Sequence, residues 1–213
     1  MYGLSAEDER IRDTAYEFAE SLIPYEVEAE TAHGQLPNEL TAEFQSRAIE
    51  LGLYATNIPK SVGGQGCTAL QQVLVQEQVG RATNALAWVM HTPPQWWVDV
   101  ATDYQRERWL LPAVRGEKHE TYAITEEFAG SDVSALAATA RRDGDEYVIN
   151  GVKWHVTSFN LADYVFVQAR LVVGFPQNLH ESLAKPAYVV VLRPVSRLAQ
   201  PHRLPVHLGG FGE

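Results

Sequence analysis

One cysteine in 213 residues, Cys67, leaves no internal disulfide to hold the fold and suits a reducing compartment. Positive charge is also scarce, with 17 Lys and Arg against 27 Asp and Glu and a formal net charge of -10. Nucleic acid and anionic membrane surfaces both demand a basic patch, and the chain offers none, so neither is expected as a partner. Apolar runs fall well short of the about 20 residues that a helix needs to cross a bilayer. The first ten residues, Met1 to Arg10, are acidic and lack both the apolar stretch of a secretory signal and the arginines of a transit peptide. These absences lead to the expectation of a cytoplasmic protein.

What is present describes an ordinary globular chain, 46% hydrophobic and 21% charged, long enough for one or two domains with cores of their own. Charge divides it unevenly. Residues 1–170 carry 25 acidic against 13 basic side chains, whereas residues 171–213 carry 2 against 4 and hold 5 of the 11 prolines.

The first 120 residues have helical periodicity. Ser5 followed by Asp8 forms a capping-box pattern, and Ile11, Ala15, Phe18 and Leu22 then repeat at helical spacing until Pro24 interrupts them. Leu40, Phe44 and Ala48 form a second stripe ending at Leu51-Gly52, where glycine suits a left-handed cap. Thr68 caps a third helix carrying Leu70, Val73 and Leu74. A fourth begins near Asn84 and is broken by Pro93-Pro94, and a fifth starts at Asp103 and turns Trp109, Leu110 and Val114 inward before Gly116.

Beyond residue 120 the period changes to two. Thr139 to Arg142 and Glu146 to Asn150 are predicted strands joined at Asp143-Gly144-Asp145, a strong hairpin signal. Alternation over Val152 to Thr157 predicts another, with Val152, Trp154 and Val156 on one face and Lys153, His155 and Thr157 on the other. That second face is a solvated sheet surface or one wall of a site. Further strands are predicted at Asp163 to Ala169 and Ala187 to Leu192. Helices first and strands afterwards make the fold class α+β, an all-helical domain over residues 1–120 and a β domain over residues 121–213.

The segment Tyr122 to Asp132 carries the main functional signal. A short apolar run, Tyr122-Ala123-Ile124, delivers the Thr125 hydroxyl, and Ala129-Gly130-Ser131 then offers backbone N–H groups with little side-chain bulk in front of them. Such a turn brings its backbone close to a ligand, or is an ordinary glycine turn.

Several stretches occur together in one order: Glu50 to Leu53 with Pro59 and Gly63 to Gly66; Gln76-Glu77 to Gly80-Arg81; Leu111-Pro112 with Gly116-Glu117; Ala123 to Glu126; Ala129 to Asp132; Thr139-Ala140; Asp143 to Asp145; Tyr147 to Gly151; Lys153; and Ala162-Asp163. In this order and at this spacing, over roughly residues 1–170, the chain resembles the front part of an acyl-CoA dehydrogenase. The resemblance implies an antiparallel, barrel-like β domain after the helical one, an FAD cofactor, an acyl-CoA thioester substrate, an electron-transferring flavoprotein as electron partner, and a homo- or hetero-oligomer. It also carries residue roles. Thr125 matches the family threonine beside the flavin pyrimidine ring, with Tyr122 and Ile124 on the strand lining the isoalloxazine. Gly130 and Ser131 match the pair that touches flavin and thioester ligand, and Thr157 matches the hydroxyl residue near the redox-active end.

The chain also departs from that pattern. His155 stands where the family has a flavin-packing tryptophan, with Trp154 preceding it, and Ser158-Phe159 replaces Asn-Gly. Histidine can stack, donate a hydrogen bond or charge near neutral pH, so it forms a variant flavin wall or marks a lost contact. The family's third, helical domain, which supplies the base for α-proton removal, has no counterpart in these residues. No catalytic base is therefore assigned, and neither Glu126 nor Glu127 is promoted to that role. The similarity fades after about residue 170, and sheet edges left open there predict self-association of the chain.

The expected function is that of an FAD-dependent oxidoreductase of acyl-CoA thioesters, incomplete as this chain alone. The alternatives are a non-catalytic partner or remnant that keeps the fold and, as a lesser variant, a flavin-dependent monooxygenase. Other candidates carry less. Gly63 to Gly66 lacks the preceding strand and following Lys-Ser/Thr of a phosphate loop, and His202 and His207 lack zinc-ligand spacing. Ser131 with His155 lacks the elbow and orienting acid of a hydrolase. His91 to Trp97 fits core or subunit packing.

Overall fold

The computed structural model describes residues 3–34, 36–83, 86–144, 146–172, 183–191 and 203–204, with backbone alone for Glu146 and the last two spans. The chain folds as two units, residues 1–101 with 106–117, and residues 102–105 with 118–213.

In the first unit, helix α1 spans Ala6–Leu22 and starts where the sequence predicts: the Ser5 hydroxyl accepts from the Asp8 N–H, and the Asp8 carboxylate accepts from the Ser5 N–H. Helix α4, Ala69–Val79, repeats the device with Thr68 and Gln71. The two caps are joined, because Gln71 Nε2 donates to Asp8 Oδ1 at 3.1 Å. This explains why polar Gln71 is buried while Leu70 and Val73 are 49% and 62% exposed. The inward face of α4 is Gln71, Leu74, Val75 and Val79, rotated from the face that Leu70 and Val73 suggest.

Pro24 ends α1 in a 3₁₀ turn, Ile23–Tyr25, followed by α2, Glu26–Thr31. Helix α3, Asn38–Glu50, closes at Gly52 with φ +71°, the left-handed cap that its glycine predicts. Ala15, Phe18 and Leu22 of α1, Phe44 and Ala48 of α3, and Val75 and Val79 of α4 share one core. Phe44 meets Phe18 and Tyr25 edge-on at 6.4 and 5.3 Å, each pair adding about 0.5–1.5 kcal/mol beyond its buried area. The fourth expected helix is reduced to a 3₁₀ segment at Leu86–Met90, its start at Asn84 lying outside the described residues, and α5, Trp96–Val100, follows the proline pair. Asp103 opens α6, Asp103–Gln105, which belongs to the second unit. A π-helical turn at Arg106–Leu110 and α7, Leu111–Val114, then bury Trp109, Leu110 and Val114. Among the described residues no helix is long and apolar enough to cross a membrane.

The second unit is a mixed sheet. Strand β4, Tyr164–Val172, is its centre: β1, Glu120–Ala123, runs parallel to residues 164–167, and β2, Thr139–Asp143, runs parallel to residues 170–172. Strand β5, Leu183–Val191, lies antiparallel opposite both, so β1 and β2 follow one another along a single edge of β4. Strand β3, Glu146–Asn150, pairs antiparallel with β2 and β6, Arg203–Leu204, pairs with β3. The expectation of an antiparallel barrel is corrected here: two of the pairings are parallel, and among the described strands the sheet does not close. The β2–β3 hairpin forms as its sequence predicts, Asp143 facing Glu146 and Gly144 at φ +64°, while Asp145 lies outside the described residues. Leu192 and, apart from Arg203–Leu204, the tail from Arg193 also lie outside, His202 and His207 included.

One expected strand is absent. Val152 to Val156 adopts neither strand nor helix, and Thr157 to Leu161 forms turns. His155 and Ser158 have φ of +51° and +56°, and two left-handed residues in four cannot keep the pleat on which side-chain alternation depends.

Candidate functional site

Because β2 follows β1 along the same edge of β4, residues 124–138 between them must leave the sheet and return. The structure holds this excursion at its ends. Glu126 N–H donates to Ala129 O at 3.0 Å and Ala129 N–H returns to Glu126 O at 3.2 Å, so Glu127 and Phe128 form the tip of a tight turn. The Glu126 carboxylate then accepts from the N–H groups of Ala137 and Ala138, at 2.6 and 3.0 Å. Glu126 thus grips both ends of the loop that contains Gly130 and Ser131. Arg170 of β4 donates to Ser134 O at 2.6 Å, and the Asp132 carboxylate caps the turn Val133–Ala135 through Ser134. That cap, through the Ser134 hydroxyl first and its N–H second, keeps the Asp132 carboxyl below its usual range.

The segment that does not become a strand still lies antiparallel beside β1 and its continuation. Thr121 Oγ1 donates to Thr157 O, Trp154 N–H donates to Thr125 O at 2.8 Å, and Lys153 Nζ donates to Ile124 O at 2.8 Å. Lys153 Nζ also pairs with Glu126 Oε1 at 2.7 Å, with the two side chains only 10% and 8% exposed. Burial by itself pushes the Glu126 carboxyl up. The hydrogen bonds from Lys153, Ala137 and Ala138 outweigh that effect and hold it below the usual glutamate range. A carboxylate so fully engaged is a weak base.

The residues singled out from sequence distribute as follows. Tyr122 is half-buried on β1, its ring tilted against that of Phe166 at 5.1 Å. Ile124 and Thr125 are half-buried where β1 ends, and Gly130 and Ser131 are exposed on the loop. His155 and Thr157 are exposed on the segment stitched to β1. The structure therefore brings Thr157 and His155 alongside Tyr122 to Thr125. It corrects the expected facing: Lys153 turns inward instead of sharing a surface with His155 and Thr157, and Trp154 touches the His155 ring edge-on at 6.1 Å instead of pointing away from it.

Two glycines differ in what requires them. At Gly151, φ is +146°, and an added Cβ would lie 2.6 Å from Ala138 Cβ, so the fold itself needs a bare backbone there. Gly130 has no positive φ, and among the described residues an added Cβ would meet nothing within 4 Å. Among the described residues the N–H groups of Gly130 and Ser131 donate to no backbone or side-chain acceptor. Beside the loop an open hollow of about 370 Å³ is lined by Glu126, Glu127, Phe128, Ala135, Ala137, Val152 and Trp154. Phe128 there is 87% exposed.

The sequence marks Glu126 as a matched position not promoted to a base, and Lys153 as a matched position on the face of His155 and Thr157, but not as partners. Their pairing, 27 residues apart and carried by an irregular segment, had no local periodic signal.

Comparison with known proteins agrees with this architecture. Residues 5–117 match the family description "Acyl-CoA dehydrogenase, N-terminal domain" and residues 121–194 match "Acyl-CoA dehydrogenase, middle domain". A 3-(aryl)acrylate reductase of Clostridium sporogenes is 32% identical over 166 residues, which is 76% of this chain and 43% of that protein. An acyl-CoA dehydrogenase of Mycobacterium tuberculosis is 34% identical over 157 residues, 72% of this chain and 39% of that protein. The crystal structure of an acyl-CoA dehydrogenase from Bacillus anthracis, complexed with FAD, superposes with a TM-score of 0.69 at 25% identity, over 89% of this chain and 31% of that one. The chain thus spans about two fifths of the length of these curated relatives. With the helical and middle-domain matches side by side and in the family's order, the chain belongs to the acyl-CoA dehydrogenase family.

Proposed function

We propose that this chain carries the flavin-facing wall of an FAD-dependent oxidoreductase that introduces or removes the α,β double bond of an acyl-CoA thioester. The observation that carries the reading is Gly130: among the described residues its missing side chain is required neither by backbone conformation nor by packing, and its N–H and that of Ser131 donate to no acceptor. Bare, donor-rich backbone on an exposed turn is what close approach of a ligand demands.

The residues fit such a cofactor. Thr125, Gly130 and Ser131 supply hydroxyl and N–H donors, Thr157 adds a hydroxyl from the adjoining segment, and Tyr122, Ile124 and His155 supply the flanking ring and apolar surfaces. Bound there, the flavin would supply acceptance or donation of two electrons. The chain's own part is to fix donors where negative charge develops on the reduced ring, so that none reorients during reaction. Glu126 takes no proton in this scheme, because its oxygens are committed to Lys153, Ala137 and Ala138. No residue is assigned as the base for the α-proton. An electron-transferring flavoprotein as electron partner and an oligomer that completes the site belong to the same reading.

The test is the visible absorption spectrum of the purified chain titrated with FAD. A bound flavin spectrum that an acyl-CoA perturbs supports the reading, whereas bleaching is not expected of residues to which no α-proton base is assigned, and a chain that takes up no FAD overturns the proposal.

A further inference from the structure

We propose that the Glu126–Lys153 pair is a positioning device for the flavin wall, fixing the segments that carry Thr125, Gly130-Ser131 and His155–Thr157 relative to one another. The inference rests on the flavin reading above.

The geometry is specific. Lys153 Nζ bridges Ile124 O and Glu126 Oε1 at 2.8 and 2.7 Å, which ties the irregular segment to the end of β1. Glu126 holds the loop at Ala129 through its backbone and at Ala137 and Ala138 through its carboxylate. One ion pair therefore joins all three segments on which a wall residue stands, and no wall residue is itself part of the pair. Stability alone does not call for this arrangement, since apolar side chains of similar volume commonly replace a buried ion pair without loss. What an apolar replacement lacks is direction: it offers no acceptor to two consecutive N–H groups and no donor to a specified carbonyl. The irregular backbone at 151–158 makes the point sharper, because ladder hydrogen bonds do not fix its register. Side-chain bonds from Lys153 and Thr121 and the single Trp154 N–H bond do.

The experiment compares wild-type chain with Glu126→Gln, Lys153→Met and a control, Ile149→Ala, which loosens the β2–β3 side of the core without touching the pair. Amide hydrogen exchange is read without FAD, and FAD affinity and the bound flavin's midpoint potential are read with it. Glu126→Gln and Lys153→Met are expected to raise exchange across residues 124–138 at least tenfold while β4 is unchanged. Both should weaken FAD at least tenfold and shift the potential, whereas Ile149→Ala at comparable loss of stability changes neither. Unchanged loop exchange in folded variants overturns the inference, as does a loss of FAD affinity that the control shares. If the wild-type chain binds no FAD, the flavin reading fails, and a loop that still loosens in the variants is then a structural lock only. Should either variant fail to fold, Glu126→Asp keeps the charge with a shorter reach and must still raise loop exchange for the inference to stand.

Discussion

Lys153 and Glu126 meet at 2.7 Å inside the β unit, 27 residues apart in sequence, and the carboxylate also receives the N–H groups of Ala137 and Ala138. A glutamate next to a candidate flavin site invites assignment as a base. Its partners argue the reverse, because every bond it accepts stabilises the charged form.

Removing one partner should expose that dependence. Lys153→Met leaves a buried carboxylate without its counter-charge, and a loss of about 3 kcal/mol in urea unfolding is expected. The pH profile supplies the sign. The folded-state pKa of Glu126 lies below its ordinary 4.5, so its contribution is complete above that value and is lost as pH falls through the lowered one. Wild-type stability should therefore decline on acidification below about pH 4.5. Glu126→Gln should be less stable at neutral pH and should flatten that limb, and an identical acid limb in the variant would refute the assignment.

The backbone at residues 155–158 makes a second prediction. Ser158 sits at φ +56°, a conformation that costs most L-residues about 1–2 kcal/mol and that glycine and asparagine accept readily. Ser158→Gly or Ser158→Asn should raise stability by about 0.5–1 kcal/mol, read as a higher thermal midpoint. At His155, φ +51°, histidine is among the better-tolerated residues and a bulky ring is not, so His155→Trp should destabilise by about 0.5–1 kcal/mol. A gain in stability from His155→Trp would mean that the left-handed turn is not held in solution.

How much was legible follows from where each feature is encoded. Ser5 with Asp8, the Thr68 cap and the Gly52 cap are local chemistry, readable within four residues, and the structure contains all three, with Gln71 completing the second capping box. The β2–β3 hairpin was legible for the same reason. The parallel pairing of β1 and β2 with β4 was not, because alternation reports a half-buried strand and not its neighbour's direction. Alternation over residues 152–157 was actively misleading. Its apolar spacing suits a pleat, but Val152 ends 70% exposed and Lys153 goes inward, since pairing with Glu126 outweighs the strand pattern. Motif order is what singles out Thr125, Gly130 and Thr157 for the proposed wall, whereas the Glu126–Lys153 pair that joins their segments is visible only in three dimensions.

The two glycines of the loop region should respond oppositely to alanine. Gly151→Ala meets Ala138 at 2.6 Å from a φ of +146°, and a loss of about 2–3 kcal/mol is expected. Gly130→Ala enters open space without a positive φ, so stability should stay within about 0.5 kcal/mol of wild type or rise slightly. If Gly130 faces the flavin, the same variant should weaken FAD despite its intact fold. Equal losses of stability at both positions would contradict the packing described.

The joined caps of the helical unit allow a last test, independent of any ligand. Gln71 is 8% exposed, yet its side chain is fully used: Oε1 accepts from the Thr68 N–H and Nε2 donates to Asp8 Oδ1. Gln71→Ala removes half of one capping box and the link to the other, and should cost about 1–2 kcal/mol. Asp8→Ala breaks the α1 cap and the same link, so the two losses share one interaction and should not add. Asp8→Ala is expected to lower the urea midpoint less in the Gln71→Ala background than in wild type. The Ser5 hydroxyl and N–H hold the Asp8 carboxyl below its usual range, so its share of stability is present above the ordinary aspartate value of 3.8 and lost as pH falls through the lowered one. The non-additivity should accordingly be largest at neutral pH and weaken once Asp8 is protonated, because a neutral carboxyl accepts the Gln71 bond less strongly, whereas strictly additive midpoints at neutral pH would show that the two helix starts are capped independently.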